Sequence, residues 1–119
     1  NDGAGVLSWA TGGGGGYSAN CPEASLEQAG IVQFLTFVVP AGGIQITKLG
    51  IQRTDGSGGL DSLRCEVFNA TTSTILVSTI NSYTTISTAV SAGDRIVFRL
   101  RNATTTNNPK YVTGWVAWQ

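Results

Sequence analysis

The chain has 119 residues, seven acidic and seven basic side chains, no histidine, and a formal charge of zero. That length gives room for one domain with a real core, and the balanced charge supplies no drive toward nucleic acid or an anionic membrane. Without histidine, Ser-His-Asp and Cys-His catalysis are excluded, and so is the commonest metal ligand.

In chain order, Asn1–Gly5 and Gly12–Gly16 are rich in glycine, and the second is an unbroken run of five. Such a run does not hold one backbone shape cheaply, so residues 1–16 read as a flexible linker. Val6–Trp9 between them reads as a remnant of something preceding, and residues 17–119 as the folded domain. The chain opens on Asn1 rather than Met, as expected of a piece of a longer protein. Cys21–Gln28 suggests a single helical turn or an irregular lead-in to the domain.

From Ile31 the apolar period is two, the signature of strands. Ile31–Val39 is β-branched and aromatic, and ends at the turn Pro40-Ala41-Gly42-Gly43. Ile44–Arg53 follows, its alternation broken at Thr47-Lys48, where a bulge is expected. Thr54–Gly59 reads as a loop. Leu63–Phe68 alternates cleanly, Asn69–Ser73 turns the chain, and Thr74–Ile80 and Ser82–Ile86 read as further strands. After the Ala92-Gly93 turn, Asp94–Arg101 gives the clearest pattern. Ile96, Phe98 and Leu100 face one way, and Arg95, Val97, Arg99 and Arg101 the other. Tyr111–Trp118 is the last strand.

No window repeats its apolar residues at helical spacing, and no apolar run reaches the roughly 20 residues of a membrane-spanning helix. Seven or eight short strands parted by turn residues predict an all-β antiparallel sandwich of jelly-roll type.

Few groups suit chemistry. Asp2, Glu23, Glu27, Asp55, Asp61, Glu66 and Asp94 are the acids, and no pair of them is marked as the carboxylate couple of a glycosidase. Asp55-Gly56-Ser57-Gly58-Gly59-Leu60-Asp61 offers too few oxygens for a strong calcium site, and reads as a hairpin loop. Cys21 and Cys65, 44 positions apart, either pair as a disulfide or stay as two buried thiols. No metal or cofactor is expected, and the domain reads as non-enzymatic.

Recognition and assembly fit better. Arg95, Arg99 and Arg101 share a strand face with Val97 and need partners, such as Glu66 on a neighbouring strand or on a neighbouring chain. This face is a candidate contact between subunits. Tyr111, Trp115 and Trp118 crowd the last strand, with Trp115 and Trp118 on opposite faces, so both do not enter one core. These three aromatics, with Asp55 and Asp61 in the loop, are the candidate ligand-binding residues. Asn69-Ala70-Thr71-Thr72 is echoed by Asn102-Ala103-Thr104-Thr105, and both read as turns.

Asn1-Asp2-Gly3-Ala4-Gly5-Val6-Leu7-Ser8-Trp9-Ala10-Thr11 resembles a phrase found in bacteriophage tail-fibre and other virion-appendage proteins, where it joins a fibrous shaft to a C-terminal domain. Ala92-Gly93-Asp94-Arg95-Ile96-Val97-Phe98 and Val112-Thr113-Gly114-Trp115-Val116 resemble late strands of trimeric jelly rolls of the complement and tumour-necrosis-factor type. The resemblance implies a homotrimer at the virion surface that binds a host-surface glycan or protein, or other virion proteins. It carries over no binding residue. Two other expectations share the same features: a capsid decoration protein, and a non-viral carbohydrate-binding module.

Overall fold

The computed structural model describes residues 6–9, 16–24, 30–53, 63–103 and 111–119. Among them nine strands form two sheets: β1 (Val6–Trp9), β2 (Tyr17–Ala24), β3 (Ile31–Val38), β4 (Ile44–Arg53), β5 (Leu63–Asn69), β6 (Thr74–Thr79), β7 (Thr84–Val90), β8 (Arg95–Asn102) and β9 (Val112–Trp118). One sheet has the order β1-β2-β9-β4-β7 and the other β3-β8-β5-β6. Every pairing is antiparallel.

The connectivity is that of a rolled-up hairpin. β5 pairs β6, β4 pairs β7, β3 pairs β8 and β2 pairs β9, so the partners nest outward from the turn at Asn69–Ser73. Rolling this ribbon places β9 against β4 and β8 against β5, which closes the two sheets. This is the jelly roll expected from the strand pattern, with β1 added at one edge.

Two stretches differ from expectation. Val6–Trp9, placed outside the domain by its flanking glycines, pairs with β2 from Val6–Asn20 to Trp9–Tyr17. Cys21–Ala24 is the end of a strand, not a helical turn, because Ala19 and Cys21 alternate into the core beside β9. Pro22 hides this strand from a sequence reading. It lies where the β2–β9 register shifts, between Cys21 and Ala24, the kind of place where a strand tolerates proline. The bulge expected at Thr47-Lys48 is present, between Ile46 and Lys48, against both neighbours of β4.

The inner faces supply the core. Ile46, Leu49, Ile51, Val112 and Val116 come from one sheet, and Leu63, Val67, Ile96, Phe98 and Leu100 from the other. Trp118 joins this core at 5 % exposure. Its ring lies 5.2 Å from Phe98, 5.6 Å from Phe37 and 5.8 Å from Tyr17. Gly114, inward on β9, has no side chain because a Cβ there would collide with Leu100 Cδ2.

Cys21 and Cys65 are both buried and free, so the two-thiol reading holds and the disulfide does not. Burial pushes the Cys21 thiol up to about 11. Burial likewise pushes Cys65 up to about 12, partly opposed by its bond to the Trp115 carbonyl at 3.6 Å. Both are therefore packing groups at neutral pH.

Candidate recognition surfaces

The two outer faces of the sandwich are different in kind. On the five-stranded sheet, alternation along β9 turns Val112, Gly114, Val116 and Trp118 inward, and leaves Thr113, Trp115 and Ala117 half-buried outside. Trp115 stands in register with Asn20 of β2 and Gly50 of β4. A Cβ at Gly50 would meet the Trp115 indole and the Ser82 carbonyl, so glycine there admits both the ring and the β6–β7 turn. That turn is tied down by bonds from Ile51 N to Asn81 O (2.9 Å) and from Asn81 N to Thr79 Oγ1 (3.0 Å). It delivers Tyr83, 59 % exposed, with its ring 5.7 Å from Trp115 and tilted by 48°. Asn20 and Gln52, both exposed, occupy nearby register positions on the same face. An aromatic pair with flanking amides offers apolar ring faces and hydrogen bonds together, and exposed Lys48, opposite Ala117, adds one cation to the same face.

The candidate ligand residues thus separate. Trp115 is at the surface and Trp118 is in the core, which removes Trp118 as a platform. Tyr111 is exposed at the head of β9 with φ at 56°, a backbone region uncommon for a non-glycine residue. Among the described residues it makes no ring contact. Asp55 and Asp61 lie outside the described residues. Tyr83 is the residue that sequence reading missed. Alternation predicts a strand over Ser82–Ile86, whereas β7 begins at Thr84 and Tyr83 belongs to the turn.

On the four-stranded sheet the outer face centres on a carboxylate. Glu66 has 0 % exposure although it points away from the core. Arg99 Nε donates to Oε1 at 3.0 Å, and Arg101 Nε to Oε2 at 2.8 Å. The Arg99 guanidinium also lies over the Phe68 ring, 4.1 Å from its centroid. Burial of a charge is tolerated here because both oxygens are paired. Val97, between the arginines, is buried as well. The partner that Arg99 and Arg101 need is therefore in the same chain, and their pairing requires no neighbouring subunit. Arg95 is exposed at the start of the strand.

The turn at Asn69 is as expected: its Oδ1 accepts from the backbone N–H of Thr71 (2.9 Å) and Thr72 (3.1 Å), and its Nδ2 donates to Asp94 Oδ2 (2.9 Å). Residues 104 and 105 of the second Asn-Ala-Thr-Thr copy lie outside the described residues. No protein-family model matches the chain, and no curated protein matches its sequence.

Proposed function

We propose that this chain is a non-enzymatic recognition domain of a virion appendage, carried at the virion surface as a homotrimer, which binds a host-surface glycan through Trp115 and Tyr83. The observation that carries the reading is the aromatic pair. A half-buried tryptophan and an exposed tyrosine are held on a rigid sheet and flanked by amides, with Lys48 the exposed cation opposite Ala117 on the same face. Sugars present apolar C–H faces and a ring of hydroxyls, and stack on such surfaces while bonding to amides. The likeness of the first eleven residues to tail-fibre linkers, and the jelly-roll connectivity, support the placement on a fibre.

The test has two parts. Binding of the purified protein to intact host cells is compared with that of Trp115→Ala and Tyr83→Ala, each checked for folding by circular dichroism. Loss of about tenfold or more in affinity is expected, equivalent to about 1.4 kcal/mol. Unchanged binding by both folded variants sinks the platform. Light scattering should give a particle of about three times the 12.4 kDa chain mass, and a monomer at micromolar concentration sinks the trimer.

A further inference from the structure

We propose that the outer face of the β3-β8-β5-β6 sheet is a second binding surface, fitted to an acidic polysaccharide of carboxylated or sulfated sugars. The idea takes its ligand class from the glycan reading above, but its site and its chemistry are separate. Arg64, Arg95, Arg99 and Arg101 all belong to this face, four of the seven cationic residues in a chain of zero net charge. On the same four strands Glu66 is the single acid, and it is fully buried. Asp94, in the turn before β8, has Oδ2 engaged by Asn69. That bond leaves the Asp94 charge in place, so four arginines against Glu66 and Asp94 leave the face and its rim two positive charges in excess among the described residues.

The cations are also incompletely spent. Among the described residues Glu66 is the one acceptor bonded to Arg99 and Arg101, and each gives it a single N–H of the five that a guanidinium carries. Arg64 stands directly opposite Arg101 on the neighbouring strand, a like-charge placement in which Glu66, shared with Arg99, is bonded to Arg101. A second copy docked face to face would bring the same excess against itself, so charge argues against that occupant.

The layout favours a linear polyanion. Arg95, Arg99 and Arg101 run along β8 over roughly 20 Å, at the strand rise of about 3.3 Å per residue. Arg95 and Arg101 mark the accessible ends of this line, while Arg99 between them is 12 % exposed and covers Glu66 and Phe68. Ile31 and Val38 on β3, and Ile75 on β6, are exposed at the two margins. Their register partners Arg101, Arg95 and Phe68 put them on this same face. They offer aliphatic contact to the C–H faces of sugar rings on either side of the charges.

The experiment is calorimetric titration of the whole chain with alginate, with neutral dextran and with a short DNA duplex, at low and at high salt. Alginate should bind at low salt, weaken as salt rises, and be preferred over both other probes. The Arg64→Gln/Arg101→Gln double variant, folded by circular dichroism, should bind alginate about tenfold more weakly, while Lys48→Gln, which removes an exposed cation from the other sheet, binds it unchanged. Alginate bound no better than dextran overturns the proposal, as does tighter binding of DNA, or a folded double variant that binds like the parent. Should the double variant not fold, Arg95→Gln at the exposed strand end takes its place, with weaker alginate binding expected and unchanged binding overturning the idea. Failure of the aromatic platform shows instead as undiminished cell binding by Trp115→Ala, so the two readings fall separately.

Discussion

The two outer faces of this sandwich solve one problem in opposite ways. Each must cover a pleated surface whose other side is core. The five-stranded sheet does so with an aromatic pair and polar groups, Lys48 among them, and holds Tyr83 in place with a backbone-bonded turn. The four-stranded sheet does so with ions, sinking Glu66 beneath two arginines and laying one of them on Phe68. The difference teaches where substitution is safe. An uncharged aromatic at the surface leaves no orphan when removed, whereas a buried carboxylate and its partners stand or fall together.

Substitutions test that contrast, beginning with the core that both faces cover. Trp118→Ala should cost about 3–5 kcal/mol in urea unfolding, as for other buried tryptophans. Trp115→Ala, three residues away on the same strand, should cost under about 1.5 kcal/mol, because part of its ring surface already meets water. Equal costs for the two would erase the distinction between inner and outer faces. Glu66→Ala should cost about 2–4 kcal/mol, less than a deeply buried ion pair because Arg99 and Arg101 are 12 % and 28 % exposed and are partly screened. Gly114→Ala should cost about 1–3 kcal/mol, since the added methyl must displace Leu100.

At neutral pH the smallest effect is that of the thiols. Both pKa values are raised from 9.0 in the folded chain, so the folded state keeps its thiol protons after the unfolded state has lost them. Their contribution to stability is complete below pH 9 and declines as pH rises toward 11 and 12. Unfolding midpoints measured from pH 8 upward should fall less steeply in a Cys21→Ala/Cys65→Ala variant than in the parent. At pH 8 the native protein should resist iodoacetamide, and the denatured protein should take it up at both positions.

Much of the fold is legible in the sequence because alternation survives wherever one face is buried. β4 matches its expected bounds at both ends, and the interruption at Thr47-Lys48 marks a real bulge. The two faces of β8 follow from Ile96, Phe98 and Leu100 alternating with arginines. β2 is harder to see. Its sequence Tyr-Ser-Ala-Asn-Cys-Pro-Glu-Ala lacks β-branched residues, and its pairing is supplied by β9 from far along the chain. β1 is four residues long between glycine-rich stretches, too short for a period to show.

The sites are less legible than the strands. Alternation places Trp115 and Trp118 on opposite faces, and the company of Val112 and Val116 marks Trp118 as the inward one. What it does not reveal is Tyr83, brought to Trp115 by a turn between sheets and by the empty space at Gly50. Glu66 was a natural partner for the arginines, but its complete burial on an outward face depends on the two side chains folding over it. That is a property of three residues on two strands, not of either strand alone.

The nested pairing has a consequence for how the chain is made. β9 lies between β2 and β4 and bonds to both. During synthesis the five-stranded sheet therefore has no middle until residues 112–118 have emerged. The inner hairpin of β5 and β6 has its partners at once, while β2 waits for a segment made about ninety residues later. Contacts of such sequence separation slow folding. A ribosome that stops short of Trp118 releases a chain with two unpaired strand edges and an open core, which proteases remove. Closure of the core thus waits on β9, and Trp118, packed against Phe98, Phe37 and Tyr17, is a side chain whose arrival completes it.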